Sequence, residues 1–599
     1  MILFCYGRNS IMNYNDISTL FESSNARSLN SNQLTSEFIW TESFDLLFSS
    51  QNQVILGSRG SGKTALIKML SHDNLSKLAT HYPKAKEIID SRKFIATYVP
   101  LRVEWVNSLN NFEEKKEEYF VWSLNLSLCA KLLDTIRSCI DFYLYDEFEQ
   151  FTIEKNICKE ISGIWFSDNI FNNLNSIRDE LERTEYRKNL AFNKESMNIE
   201  LSNDEKIIGE SFHTTLFKPF EYAARITKRL LSLPEESKWI ICIDEAEFLT
   251  KSHHKTLNTF MRSASELVFK ITTMPYRHHT LNTDVNANIN IGHDLEYVYI
   301  DKLGTSQLNQ QTSDKVIQEF AEKLFLNRLK FHGENEISFE DLVGKSVLTQ
   351  STPDIAELNY VIELINKHCN EETVKRAEVL FSTNIGSFDD AIVRKLRGLL
   401  LLREEYNNKS GNSSSSLYSG VAIISRCSDG NPRRLFRLFN HLLSNLKEQK
   451  NRISNTSQSE RLKSYSYREL EVIKFEKDGV NAFNFINKIG GYFRDKSLVE
   501  KIGTDTPQSF VIDGTISDEH WNSIKTAVDL GLIYPYIKKD RNAKSLFPSR
   551  EGRFIIANCL APNFNLFPRV GRPVRFHNIF RNTNTSNEED QLELFSDED

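Results

Sequence analysis

The sequence predicts an α/β fold centred on a parallel sheet of five strands, and three observations predict it. Apolar runs at residues 54–56, 94–101, 239–243, 268–273 and 295–300 are separated by long stretches of helical spacing, the pattern of strands buried on both faces. The first run leads into Gly57-Ser58-Arg59-Gly60-Ser61-Gly62-Lys63-Thr64, after which the helical pattern TALIKML begins. The third run, WIICIDE, stays apolar until it ends in Asp244-Glu245.

The glycine-rich segment fits G-x-x-x-x-G-K-[ST] in the strand–loop–helix context that a P-loop requires. Glycines at 57, 60 and 62 let the backbone curl so that its N–H groups face phosphate oxygens, helped by the positive end of the following helix. Lys63 is expected to reach the β and γ phosphates, and Thr64 to ligate magnesium. The acidic pair falls at the carboxyl edge of the sheet, where α/β ligands bind. Asp244 is expected to hold magnesium through water, and Glu245 to orient and deprotonate the attacking water. Each motif alone has a plainer reading, a chance glycine-rich loop or a solvated acidic pair. Their occurrence in this order on the expected elements points to nucleotide binding and, through Glu245, to hydrolysis.

Two further segments bear on the phosphates. VFKITTMP places Thr272 and Thr273 where a γ-phosphate sensor sits, although β propensity alone favours threonine there. CSDGNPRRLFRLFNHLL places Gly430-Asn431-Pro432-Arg433-Arg434 at a helix start, with proline early in the helix. An arginine held at that point either reaches back over bound phosphates or belongs to an ordinary exposed basic pair.

The rest of the chain is too long for one core. The sheet domain is expected over residues 1–304. The stretch between its second and third strands exceeds what one crossover needs, and segments such as YFVWSLNLSLCAKLLDTIRSCI make it a helical insertion at about 110–235. A helical lid follows over 305–450, interrupted by NNKSGNSSSSLYSG at 407–420, which reads as a flexible loop. Polar residues 451–466 separate the lid from a C-terminal module over 467–580, and the acidic tail 581–599 reads as disordered. No internal repeat is present.

Composition narrows the function classes. A net charge of −7 argues against coating nucleic acid with the whole surface and leaves a local basic patch open. The eight cysteines are scattered without C-x-x-C spacing, so they read as reduced thiols, mostly buried, with Cys242 inside an apolar strand. MILFCYG is too short for a signal sequence, Met12 is a second candidate start, and no run is long enough to span a bilayer, so a cytoplasmic location with no membrane partner is expected. The pairs His253-His254 and His278-His279 have neighbouring side chains that diverge, and no carboxylate or cysteine spacing completes a metal site.

Taken together, GSRGSGKT, IDEAEF, ITTMP, SDGNPRR and the C-terminal module resemble the origin-recognition and replication-licensing branch of the AAA+ ATPases, especially its bacterial members. The resemblance spans most of the chain. It implies an AAA+ (ASCE) P-loop sheet, a lid and a winged-helix module, with ATP and Mg2+ as ligands. Adenine is inferred from the family, since no guanine-reading N-K-x-D occurs. It implies that Arg433, or less favourably Arg434, is the second sensor in cis, and that Thr273 or Thr272 is the first. It also implies a homo-oligomer in which a neighbouring subunit donates an arginine finger, for which Arg277 is a candidate. Bacterial ATPases of this kind often belong to mobile elements or antiviral defence. No nuclease, deaminase or protease signature occurs, so an effector would be a separate polypeptide. The long insertion and extra helical segments depart from the family pattern.

The C-terminal module reads as a helix followed by a hairpin, the order at the end of a winged helix. From 538 to 575 nine basic residues (Lys538, Lys539, Arg541, Lys544, Arg550, Arg553, Arg569, Arg572, Arg575) face two acidic ones. They fit either a DNA-backbone contact, chiefly through Lys538, Lys539, Arg541, Lys544 and Arg572, or arginines paired with the protein's own carboxylates. In the tail, Gln591-Leu592-Glu593-Leu594-Phe595 resembles the sliding-clamp-binding pentapeptide, carried through Gln591, Leu592, Leu594 and Phe595. The functional expectation is an ATP-driven switch or remodelling ATPase acting on DNA or a DNA-bound partner. The alternative is an ATP-stabilised oligomeric scaffold that holds an effector with slow or no turnover.

Overall fold

A computed structural model describes residues 20–22, 26, 29–101, 116–166, 169–263, 266–285, 287–301, 310–333, 337–349, 355–408, 415–444, 452–536 and 549–580. Five parallel strands form the first sheet: β1 (Gln53–Leu56), β2 (Phe94–Pro100), β3 (Lys238–Asp244), β4 (Leu267–Thr273) and β5 (Glu296–Tyr299), in the spatial order β2-β3-β4-β1-β5. All five expected strands are present. The order puts β4 between the strand that feeds the glycine-rich loop and the strand that ends in the acidic pair.

Both faces of a parallel sheet must be covered, and side chains alternate between them. Val54 and Leu56 of β1, with Ile241 and Ile243 of β3, share one apolar cluster with the helices between β2 and β3. Ile55, Ile240 and Cys242 face the opposite cluster, filled by Phe44, Leu66 and Ile67. The helical segment between β2 and β3 is therefore one wall of the core rather than an appendage. Its main helices among the described residues are Lys116–Tyr143, Glu147–Trp165, Leu174–Ser196 and Lys218–Leu230.

The helices that frame the site are α1 (Ser31–Glu37), α2 (Lys63–Met69), α3 (Gln310–Phe331), α4 (Val421–Cys427) and α5 (Pro432–Leu443). Phe325 of α3, Ile424 of α4 and Phe439 of α5 close around Phe21 in one cluster. Arg328 of α3 is buried against Glu37 of α1 at 3.1 Å, which ties the segment before β1 to the helices that follow the sheet.

The polar stretch 451–466 is not a separator. It contains most of helix α6 (Asn455–Glu471), which begins at a Ser454 cap that accepts from Ser457 N. Gln458 is fully buried because its amide is satisfied: it accepts from Gly420 N and donates to Val343 O and Ile453 O. The serine-rich stretch at 407–420 departs from its loop reading at both ends. Helix Arg394–Asn408 runs into it, and Tyr418 and Ser419 are buried.

The C-terminal module consists of α7 (Gly479–Leu498), β6 (Pro507–Ile512), α8 (Asp518–Asp529), β7 (Ile533–Pro535), β8 (Gly552–Ile556) and β9 (Arg572–Arg575). Its sheet runs β7-β8-β6-β9, with β8 antiparallel to β6 and β7, and β9 parallel to β6. Lys538, Lys539, Arg541 and Lys544, and the tail with Gln591, Leu592, Leu594 and Phe595, lie outside the described residues. Arg572 is exposed on β9. The other arginines do not form one basic surface. Arg569 is buried and donates to Asp505, Thr506 and Lys395 O, Arg553 donates to Ser509 and Gly571 O, and Arg550 and Arg575 pair with Asp518 and Asp513. The seven described cysteines are free and buried. Among the described residues no helix is long and apolar enough to cross a membrane.

Candidate functional site

β1 delivers the chain to Gly57, and the loop that follows turns into α2 at Gly62, which has a left-handed conformation at φ 98°. Gly60 is also left-handed, at φ +85°, and its space is taken: a Cβ there would lie 2.7 Å from Arg433 Cβ and 2.9 Å from Asn431 Oδ1. The N-terminus of α5 thus approaches the loop where only glycine leaves room. Asn431 caps α5 by accepting from Arg434 N, and its amide also donates to Arg59 O at 3.1 Å. Arg433 N contacts Gly60 O at 3.4 Å.

Within the loop, Lys63 folds its ammonium over the carbonyls of Gly57 and Ser58 at 2.6 and 3.1 Å. Asp301, just beyond β5, receives Ser58 N at 2.9 Å and Ser58 Oγ at 2.7 Å. Burial pushes the Asp301 carboxyl up, and those two donors and the Lys63 charge oppose the rise. No motif flags Asp301, yet this carboxylate two residues after the last strand marks the same sheet edge as Asp244.

Asp244 ends β3 with no exposure. Its Oδ1 accepts from Thr272 at 2.6 Å and its Oδ2 from Tyr98 of β2 at 3.0 Å. Glu245 takes a left-handed conformation at φ 66°, and its N–H donates to Thr272 Oγ1 at 2.9 Å. The two threonines therefore differ. Thr272 is consumed in holding the acidic pair. The hydroxyl of Thr273 is buried without a hydrogen-bond partner, and its carbonyl accepts from Gly57 N.

A cavity of about 290 Å³ opens beside them, lined by Lys63, Thr64, Glu245 and Arg433 but not by Asp244, Thr272 or Thr273. Loop residues Arg59 to Thr64, Glu245, Glu247 and Arg433 form its polar end. Leu34, Phe38 and Ile39 from the N-terminal segment, Phe320 and Leu324 of α3, and Phe436 of α5 form an apolar end suited to a flat heterocycle. Ser61 Oγ and Glu247 Oε2, both on this lining, are buried atoms without partners. Buried orphans of this kind call for a ligand, and their placement beside Lys63, Thr64 and Asp244 fits a magnesium-bound nucleoside triphosphate. Burial raises the Glu247 carboxyl, with Lys63 the main opposing charge. Glu247 stands two residues after Glu245 in IDEAEF, a signal the sequence carried but did not single out. Burial also lowers the Arg433 guanidinium.

Arg434 turns away from the cavity. It is buried and donates to Asp429 Oδ2, Tyr534 Oη, Leu530 O and Gly531 O, all but Asp429 in the C-terminal module. Arg277 also points into its own chain: its Nε lies 2.7 Å from Asp529 Oδ2. The two histidine pairs meet, with His254 packed edge-on against His278 and His279. His253 stacks on Phe120, His254 faces Thr250 O, and His278 sits between Tyr297 Oη and Asn258. Among the described residues no group of three His, Cys, Asp or Glu side chains could hold a metal ion.

No curated protein matches the chain. A family match does exist, and it covers residues 19–576, from the segment before β1 through the end of β9. With the P-loop, the interposed β4 and the acidic pair in place, the chain belongs to the ORC-CDC6-like family of AAA+ ATPases.

Proposed function

We propose that the protein is an ATP-binding and ATP-hydrolysing AAA+ switch or remodelling ATPase that acts on DNA or a DNA-bound partner. The observation that carries this reading is the convergence of Lys63, Thr64, Glu245 and Arg433 on one cavity between the sheet and the lid helices. The base would lie in the apolar end, against Phe38, Ile39 and Phe436. The loop amides and Lys63 would take the phosphates once the ammonium leaves Gly57 O and Ser58 O. Thr64 and, through water, Asp244 would hold Mg2+, which when bound offsets phosphate charge. Glu245 accepts a proton from the attacking water as oxygen adds to the γ-phosphorus and the bond to the β,γ-bridging oxygen breaks. Thr273 and Arg433 stabilise the charge that develops on the γ-oxygens.

Because Arg433 and Asn431 sit on the helix that touches Gly60, loss of the γ-phosphate changes what holds the lid against the loop. DNA contact is assigned to Lys538, Lys539, Arg541 and Lys544, together with Arg572. A clamp contact is assigned to Gln591, Leu592, Leu594 and Phe595. Assembly is read as a homo-oligomer or a complex with a separate effector, and antiviral defence or a mobile element as the setting. A scaffold with slow turnover is the second reading, favoured by the bonds of Arg59 in the loop to Asp529 O and to Glu476.

Steady-state ATP hydrolysis by the full chain and by Glu245→Gln, with and without duplex or single-stranded DNA, separates the two. Turnover that DNA stimulates and that the variant loses supports the switch. Turnover no higher than the variant's, with ATP still bound, moves the assignment to the scaffold.

A further inference from the structure

We infer that the turn after α8 in the C-terminal module is a positioning element of the phosphate loop, so that nucleotide binding and docking of that module are one coupled equilibrium. The inference rests on the reading of the P-loop as a nucleotide site. The last carbonyls of a helix lack intrahelical partners; Thr526, Ala527 and Val528 of α8 find theirs in the turn that follows, whereas the carbonyl of Asp529 and those of the turn itself find theirs outside the C-terminal module. Asp529 O accepts from Arg59 N at 2.7 Å. Leu530 O and Gly531 O accept from the Arg434 guanidinium at 3.1 and 2.7 Å. The P-loop and the lid arginine together cap this helix.

Gly531 brings the turn close. It is left-handed at φ +70°, and a Cβ on it would lie 2.8 Å from Ser58 Oγ. On its other side Ser58 is held by Asp301. Ser58 is therefore clamped between a carboxylate of the sheet domain and a glycine of the C-terminal module. A second set of bonds flanks the clamp: Arg59 pairs with Glu476, and Tyr276 packs edge-on against Trp521 with its hydroxyl donating to Ser549 O.

Charge supplies the coupling. The Asp529 side chain is nearly buried, pairs with Arg277, and has one oxygen without a hydrogen-bond partner. Its carboxyl is raised by burial, while Arg277, Lys63 and Arg59 oppose the rise. Without Arg277 an uncompensated buried negative charge would stand on the turn whose carbonyl holds Arg59 N of the phosphate loop. Arg277 is thus assigned to neutralising Asp529 in its own chain.

The test uses the full chain and a fluorescent ATP analogue. Arg277→Gln should weaken binding about tenfold, within the range of ordinary site coupling, and Asp529→Asn in the same chain should restore most of it. Gly531→Ala should weaken binding by displacing Ser58. Because a variant can fail to fold, hydrogen exchange of the wild type is read as well: the analogue should slow exchange across 524–535 and at the Arg59 amide. Wild-type binding that neither variant alters, or no change in exchange at 524–535, would overturn the inference and leave the nucleotide reading intact. A wild type that binds no nucleotide would overturn both.

Discussion

Thr272 donates its hydroxyl to Asp244 Oδ1 at 2.6 Å and accepts the N–H of Glu245 at 2.9 Å, so one side chain on β4 fixes both members of the acidic pair. The interposed position of β4 makes this possible, because a strand between β1 and β3 can touch the loop and the carboxylates at once.

Thr272→Val removes that hydroxyl at nearly constant volume and leaves Asp244 with Tyr98 alone. Groups that orient metal ligands typically matter by about 10- to 100-fold in metal affinity. The magnesium concentration for half-maximal turnover should rise by that order in Thr272→Val, and by less in Tyr98→Phe. A magnesium titration of ATP hydrolysis in each variant checks it. Unchanged curves would remove Thr272 from the positioning role.

Gly60→Ala tests the contact between loop and lid. The residue is left-handed and its added Cβ meets Arg433 Cβ at 2.7 Å, so strain and a clash combine to cost about 1–3 kcal/mol. Gly163 is the control: it lies inside helix Glu147–Trp165 with open space around its Cβ position, and Gly163→Ala should stabilise by about 0.4–1 kcal/mol. Denaturant unfolding should show opposite signs for the two. Only the first should weaken nucleotide binding.

The sheet and the phosphate loop were legible because their signals are local: a short apolar run, a glycine pattern, a strand ending in two acids. Helix Asn455–Glu471 was not, because its buried face mixes Leu462, Tyr465 and Leu470 with Gln458, Ser459 and Ser466, polar residues whose partners lie elsewhere in the chain. The covering role of the insertion was hidden for a related reason. A helical pattern shows that Leu128 and Leu132 are apolar on one face, and not which sheet they cover. The contact of Asp529 with Arg59 has no sequence signature, since it is made by a backbone carbonyl. The roles of Thr272 and Thr273 could be separated only when the register placed one against Asp244.

His254 predicts an acid sensitivity. It is buried, and burial, followed by the neighbouring His278 and His279, pushes it down to about 2 from 6.5. A histidine lowered on folding stays neutral in the folded state while the unfolded chain takes up a proton. Its contribution is complete above 6.5 and is lost as pH falls below that value. One proton of difference changes stability by about 1.4 kcal/mol per pH unit. Denaturant unfolding at pH 7, 6 and 5 should show the wild type losing stability more steeply than His254→Leu. Parallel curves would mean that the ring is protonated or solvated in the folded protein.

Arg434 separates a structural arginine from a phosphate sensor. It is 3% exposed and pairs at 2.7 Å with Asp429, which has no exposed side-chain surface. Burial raises Asp429 to about 6 even with this partner. Removing one partner of a buried pair costs about 3–5 kcal/mol, because the other charge is left uncompensated. Arg434→Met should therefore lower stability strongly at pH 7. The loss should shrink on acidification, since a carboxyl raised on folding contributes fully below 3.8 and loses that contribution as pH rises through its folded value. Arg434→Met combined with Asp429→Asn should cost less than Arg434→Met alone, because the amide keeps an acceptor for Asn558 N without a buried charge. Arg433→Met faces the cavity instead, and should impair ATP turnover with little loss of stability. The opposite pattern, with stability following Arg433 and turnover following Arg434, would exchange the two roles.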